Sequence, residues 1–114
     1  MLLMHPAKFP AMGDPPPADV VADMMRFNEE LAQAGVLLAL DGLTQPEDAV
    51  RVRFAGDGPS ITDGPFTEAK ELIGGYWVIQ ASSKEEAVQW VRRCPARAGD
   101  MIEVRPIQRA PGDD

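Results

Sequence analysis

The chain has 114 residues, enough for one domain and too few for a second independent hydrophobic core. Its hydrophobic fraction of 45% and charged fraction of 25% are ordinary for a globular protein. One cysteine and one histidine exclude an internal disulfide and a closed His/Cys metal site. The net charge of −7 argues against nucleic-acid binding and against attachment to an anionic membrane surface.

No apolar run in the sequence approaches the length of a membrane-spanning helix, and residues 1–6 lack the pattern of a secretory signal. We therefore expect a cytoplasmic protein that needs neither a metal nor a cofactor. Residues 1–108 are predicted to form the domain, and residues 109–114 are predicted to form a polar C-terminal tail.

The first part of the chain predicts a strand, a long loop and a helix. Residues 1–4 are apolar and too short for a helix, so they predict a strand. Prolines make residues 6–16 a stiff, extended loop. A helix is expected between Pro17, which suits a first turn, and Gly35, which suits the position after the last turn. Its apolar stripe comprises Val20, Met24, Phe27, Leu31 and Ala34, widened by Val21 and Met25.

A strand and a hairpin are predicted next. Residues 36–40 are apolar at every position, which is typical of a strand covered on both faces. Val50, Val52 and Phe54 then alternate with arginines, so we expect these three side chains to face a core. An aspartate–glycine pair predicts a turn, and residues 60–62 predict a short returning strand.

The second half of the chain predicts a turn, a strand, a helix and a last strand. Residues 63–66 form the turn, because a glycine before proline is driven out of the helical region. The aromatic and β-branched residues 76–81 predict a strand. Ser83 opens a helix through a capping box with Glu86, and apolar and charged residues alternate at 102–105 in the last strand.

This order of elements predicts an α+β, ferredoxin-like sandwich, in which two helices pack on one face of a mixed antiparallel sheet. The strand at 76–81 is apolar on both sides, with Tyr76 on one side and Trp77 on the other. Two helices cover one face only. We therefore expect a homodimer in which a second copy covers the open sheet face. A shallow ligand trough, or a C-terminal strand curling over that face, is the alternative.

One stretch of the sequence is similar to a known family. It reads Asp63-Gly64-Pro65-Phe66, then Thr67 to Glu71, then Gly74-Gly75-Tyr76-Trp77, and it resembles the DGPF-motif branch of the YCII-related proteins. The resemblance extends over roughly residues 1 to 108 and includes segments 28–31, 35–38, 51–54 and 87–95. It implies a dimeric α+β barrel of the ferredoxin-like kind.

The resemblance implies less about activity than about fold. Most DGPF-type members are uncharacterised, and some are encoded beside extracytoplasmic-function sigma factors. In some more distant YCII relatives a His–Asp pair lies in a small cleft, and one lineage removes chloride from a chlorinated hydroxyquinol. Here Asp63 matches the aspartate, and the one histidine is His5. We expect the first strand to run parallel to the strand at 76–81, which would keep His5 too far from Asp63 to pair within one subunit.

The candidate site lies beside the turn at 63–66. Asp63 is the candidate acid or base, or else an ordinary turn residue that accepts backbone donors. Lys70 could hold a ligand carboxylate, or else be an exposed charge. The remaining candidate ligand-binding residues are Phe66, Glu71, Tyr76 and Trp77, of which the two last could instead be core residues. His5 is expected in a loop, and Cys94 is expected to be a small hydrophobe rather than a nucleophile.

Two functional hypotheses follow from these residues. The first is a small-molecule binding or regulatory module, with sigma-factor regulation as the process that the family resemblance implies. The second is a small enzyme of lyase or hydrolase type acting on a small aromatic or organic acid, with Asp63 as acid or base. The expected partners are a second copy of the chain and a small organic ligand.

Overall fold

The computed structural model of the chain describes residues 1–7, 17–64 and 72–108. A short 3-10 helix, Pro46–Asp48, lies before the third strand. The strands and α-helices in the described ranges are β1 Leu2–His5, α1 Ala18–Gln33, β2 Leu37–Gly42, β3 Val50–Ala55, β4 Gly58–Asp63, β5 Gly75–Ile79, α2 Lys84–Arg92 and β6 Met101–Val104. Most of the predicted loop at 6–16, the tail at 109–114, and Phe66, Lys70 and Glu71 lie outside the described residues.

Helix α1 begins and ends as predicted. It starts directly after Pro17, whose carbonyl oxygen accepts a hydrogen bond from the Val21 N–H at 3.1 Å. Gly35 follows its last turn with φ of +75°, a conformation that glycine adopts without steric penalty. The apolar stripe is narrower than expected, since Met25 is 64% exposed.

Strands β2, β5, β1 and β6 form one sheet in that order, and each neighbouring pair is antiparallel. Our expectation that β1 runs parallel to the strand at 76–81 was wrong, because Leu2 lies opposite Trp77 and Met4 lies opposite Gly75 in an antiparallel ladder. Strands β1 and β2, which α1 connects, are parallel to each other. Strand β5 lies between them and is antiparallel to both. His5 therefore lies beside the start of β5 rather than its far end.

Both helices pack on one face of this sheet. Leu2 and Trp77 from the sheet and Phe27 and Leu31 from α1 form the buried core. The rings of Phe27 and Trp77 meet edge to face, with centroids 5.8 Å apart. The residues of α2 and its following turn that pack against this core are Trp90, Val91 and Cys94. The architecture is the predicted α+β, ferredoxin-like one.

The opposite face of the sheet, called here the outer face, carries both apolar and acidic side chains. Leu3 lies opposite Tyr76 across β1 and β5, and Val78 shares their face two residues along β5. Neither α1 nor α2 covers these side chains, which are partly exposed. Asp41 lies opposite Tyr76, and Glu103 lies opposite Leu3, so a carboxylate flanks the apolar centre on each side.

Strands β3 and β4 form a separate two-stranded hairpin, called here the arm. The returning strand is longer than the predicted 60–62. The predicted alternation is correct, but the expectation that it faces a core was wrong: Val50, Val52 and Phe54 are 56%, 48% and 81% exposed. Val52 lies opposite Ile61, which is 71% exposed, so all four side chains share one face. No described part of the same chain covers that face.

The hydrogen bond between α1 and β5 gives a first prediction. The buried Trp77 donates from Nε1 to Asn28 Oδ1 at 2.7 Å. Asn28→Leu leaves this indole N–H without its acceptor, so we expect the free energy of unfolding to fall by about 1–3 kcal/mol. Gln33→Leu, an exposed change on the same helix, should stay within about 0.5 kcal/mol. Urea denaturation measures both, and equal effects would contradict the assigned role of Asn28.

Candidate functional site

A cavity of about 260 Å³ lies at the end of the sheet where β2 ends and β5 begins. Its wall is mostly apolar, and its polar side chains come from three different elements. Small-molecule sites commonly combine an apolar wall with a few polar groups that fix orientation. The lining residues are Met4, Met24, Asn28, Leu40, Asp41, Gly42, Gly74, Gly75, Tyr76 and Trp77.

The glycine pair at the start of β5, Gly74 and Gly75, brings three strands close together beside this cavity. The Gly74 N–H donates to the Met4 carbonyl oxygen at 2.8 Å, and the Leu43 N–H donates to the Gly74 carbonyl oxygen at 2.9 Å. A Cβ atom at Gly75 would come within 3.0 Å of the Asp41 carbonyl oxygen. A side chain at Gly75 would therefore press against the backbone of β2 and disturb the rim.

Tyr76 and Asp41 are cross-strand neighbours, and both are among the residues that line the cavity. The Tyr76 hydroxyl donates to Asp41 Oδ2 at 3.0 Å. This hydrogen bond, together with the carboxylate charge, raises the pKa of Tyr76 above its usual value. The phenol thus remains a protonated donor at neutral pH, and it fixes the carboxylate in one orientation.

Asn28 reaches the cavity from α1. Because its Oδ1 accepts the Trp77 indole N–H, its amide nitrogen is left as a donor, and it forms no hydrogen bond with the described residues. The cavity therefore offers an amide donor from Asn28, a carboxylate from Asp41 and an apolar wall from Trp77. This arrangement can bind a small, partly apolar molecule that both accepts and donates hydrogen bonds.

Comparison with known proteins agrees with this architecture. A family model described as the YCII-related domain matches residues 2–110. The chain belongs to the YCII-related domain family. An uncharacterized protein of Rhizobium meliloti (strain 1021) is 29% identical over 90 residues, which cover 77% of this chain and 73% of that protein. The family resemblance seen in the sequence is confirmed.

Asp63 and Gly64, the described residues of the predicted turn at 63–66, lie at the end of the arm. Asp63 ends β4 opposite Val50 and is exposed, and its carboxylate forms no hydrogen bond or ion pair with the described residues. The Gly64 N–H donates to the Ala49 carbonyl oxygen at 2.8 Å. A Cβ atom at Gly64 would collide with the Pro46 carbonyl oxygen, so close backbone approach explains why glycine stands here.

The predicted site residues are brought together only in part. Tyr76 and Trp77 both line the 260 Å³ cavity, Tyr76 at its rim and Trp77 as a buried core residue. Asp63 is not among the lining residues. Phe66, Lys70 and Glu71 lie outside the described residues, so their candidate roles remain predictions.

Sequence reasoning missed Asn28 and Asp41, and it misplaced His5. His5 is the last residue of β1 rather than a loop residue, and it is 9% exposed. Its Nε2 lies 3.6 Å from Glu103 Oε1, and neither ring nitrogen forms a hydrogen bond with the described residues. One signal was available: strand alternation puts His5 on the same face as Leu3. No such signal marks Asn28, because its hydrogen-bond partner Trp77 is 49 residues away in the sequence.

Other reactive groups in the described part of the chain form no comparable site. Burial raises the pKa of the Cys94 thiol to about 11, so the sulfur stays protonated at neutral pH and packs beside Met24. In residues 1–7, 17–64 and 72–108, no three His, Cys, Asp or Glu side chains cluster as metal ligands do. Neither described helix is long and apolar enough to cross a bilayer.

The Tyr76–Asp41 contact gives a second prediction. Tyr76 is the only tyrosine in the sequence, so the absorbance of tyrosinate at alkaline pH reports on this residue alone. We expect Asp41→Asn to lower the pKa of Tyr76, because the mutation removes the charge that disfavours tyrosinate. Asp57→Asn changes the net charge equally but lies in the turn of the arm, and it should leave the titration unchanged. Identical titrations of the Asp41→Asn variant and the wild type would contradict the contact.

Proposed function

We propose that this YCII-related chain is a homodimeric small-molecule-binding domain whose ligand occupies the cavity at the start of β5. The observation that carries the proposal is the convergence of Asn28, Asp41 and Tyr76 on one mostly apolar cavity. The Tyr76–Asp41 and Trp77–Asn28 hydrogen bonds hold these groups in place before any ligand arrives. Such preorganisation lowers the entropic cost of binding.

The charge of the cavity favours a particular ligand. Among its described lining residues Asp41 is the one charged side chain, so a neutral or cationic ligand with a small apolar or aromatic body suits it better than an acid. Lys70 remains a candidate anchor for an acidic ligand, because the sequence places it six residues before Tyr76. A site for a neutral or cationic ligand and a site for an acid would rank small aromatic probes of different charge in opposite order.

The homodimer is supported by the uncovered outer face. Leu3, Tyr76 and Val78 stay partly exposed while both helices pack on the other side of the sheet. Contiguous apolar surface of this kind is more typical of interfaces than of free monomers. The single cysteine is consistent with the cytoplasmic location that we propose, and sigma-factor regulation is the process that the family resemblance supports.

The second candidate function is the lyase or hydrolase activity with Asp63 as acid or base. The observation that favours acid–base chemistry is His5, a buried imidazole beside the Glu103 carboxylate on the outer face. The exposure of Asp63 favours binding without turnover, since no described residue holds its carboxylate in a fixed position. A ligand effect that depends on Asp63 would therefore support the enzyme.

A thermal-shift comparison of phenol, benzylamine and benzoate tests the binding proposal. The three probes share one ring and differ in charge. We expect phenol and benzylamine to raise the melting temperature by about 3–6 °C at a concentration tenfold above the dissociation constant. Benzoate should raise it less. Asp41→Asn should remove the advantage of benzylamine over phenol, and Asp57→Asn should not.

The opposite ranking of the three probes would contradict the proposed ligand class. If benzoate stabilises the protein most and Asp41→Asn changes nothing, the ligand is an acid and the cavity assignment is wrong. Asp63→Ala serves as the second arm of the comparison. Stabilisation that survives this change supports binding in the cavity, and stabilisation lost with Asp63 supports the acid–base hypothesis.

A further inference from the structure

A second cavity, called here the end groove, lies at the opposite end of the sheet from the ligand cavity. Strands β1 and β2 begin at this end, strands β5 and β6 end there, and helix α2 begins beside it. The end groove has a volume of about 490 Å³, against about 260 Å³ for the ligand cavity, and the two share no lining residue. We infer that the end groove is a second binding site, for a carboxylic acid with a flexible apolar body, and that Lys84 pairs with the carboxylate.

The lining of the end groove is mostly apolar. Leu2 and Ala87 are its buried members, and Leu38 and Ile107 are its most exposed apolar members, at 63% and 57%. An apolar ligand body that lies along the groove would remove part of Leu38 and Ile107 from water, which favours binding in proportion to the area covered.

Main-chain hydrogen bonds fix two segments that line the end groove. The Gln80 N–H donates to the Val36 carbonyl oxygen at 2.8 Å, which holds the chain after β5 beside the start of β2. The Arg105 N–H donates to the Met1 carbonyl oxygen at 2.9 Å, which holds the chain after β6 beside the start of β1. The groove therefore exists before a ligand binds, as is usual for small-molecule sites.

The charged side chains that line the end groove are both cationic, Lys84 and Arg105. No aspartate or glutamate is among its described lining residues, although the chain has 18 acidic residues. Glu86, two residues after Lys84, accepts a hydrogen bond from the Ser82 N–H at 3.3 Å and does not line the groove. The groove is thus a local cationic site in a chain whose net charge of −7 disfavours anions in general.

Lys84 is the better carboxylate anchor of the two cations. Arg105 Nη2 lies 2.7 Å from Glu103 Oε2, so the charge of Arg105 is already paired. Lys84 is exposed and forms no ion pair with the described residues. Because its ammonium group is carried on a flexible stem, it can reach a ligand carboxylate without breaking an existing contact.

The end groove and the ligand cavity select ligands of opposite charge. Asp41 in the ligand cavity favours a neutral or cationic ligand, whereas Lys84 in the end groove favours an acid. Benzoate has a short, rigid body that would leave most of the larger groove uncovered. Any stabilisation by benzoate that Lys84→Glu removes would therefore belong to the end groove.

Calorimetric titration of the full chain with octanoate, butanoate and 1-octanol tests the inference. We expect octanoate to bind more tightly than butanoate by a factor of about two to four for each buried methylene group. We expect 1-octanol, which has the same chain length but no charge, to bind more weakly than octanoate. Equal binding of butanoate and octanoate would mean that the apolar wall takes no part, and equal binding of octanoate and 1-octanol would mean that the cation takes no part. Either result would overturn the inference.

Charge reversal at Lys84 tests the anchor. Lys84→Glu should raise the dissociation constant of octanoate about tenfold and should leave that of 1-octanol unchanged. The fold should tolerate this variant, because an acidic residue suits the first turn of a helix. Arg92→Glu makes the same change of charge at the other end of α2 and should alter octanoate binding less than about twofold.

A variant of the ligand cavity separates the two sites. If octanoate occupied the ligand cavity, Asp41→Asn would tighten its binding by removing a negative charge. We expect Asp41→Asn to leave octanoate binding unchanged. Tighter binding to the Asp41→Asn variant, or equal effects of Lys84→Glu and Arg92→Glu, would contradict the assignment of the acid to the end groove.

Discussion

The sheet formed by β2, β5, β1 and β6 has apolar side chains on both faces, whereas both helices pack against one of them. Trp77 and Leu2 are buried by the helices, and Tyr76, Leu3 and Val78 on the other face are not. Water contact with this second face is unfavourable in proportion to its apolar area. The homodimer that we propose depends on how that face is covered.

The proposed ligand cavity lies at the end of the sheet where β2 ends and β5 begins. Trp77 and Tyr76 are consecutive in β5 and both line it, Trp77 on the helix-covered face and Tyr76 on the outer face. Asn28 and Asp41 are each held by one of these aromatic residues. The geometry of the cavity is thus set by the strand that forms the centre of the sheet, and a dimer that covers the outer face would also enclose the rim at Tyr76.

Local sequence signals predicted the parts of the fold that local physics decides. Pro17 and Gly35 marked the ends of α1, Ser83 marked the start of α2, and the alternation at Val52 identified the apolar face of the arm. These local signals do not determine which distant strands pair in the sheet. The direction of β1 relative to β5 depends on the order of the strands in the sheet. The residues around His5 do not encode that order, so the position of His5 could not be predicted from them.

Contacts between distant residues also limited the prediction of the candidate site. Asp63 and Tyr76 were identified from one stretch of the sequence, whereas Asn28 and Asp41 line the cavity through contacts with Trp77 and Tyr76 that no local pattern marks. The most direct test of the account is the mass of the wild-type protein by light scattering at micromolar concentration. We predict a particle of twice the 12.4 kDa subunit mass. A stable monomer of 12.4 kDa would mean that the outer face tolerates water, and the proposed dimer would be wrong.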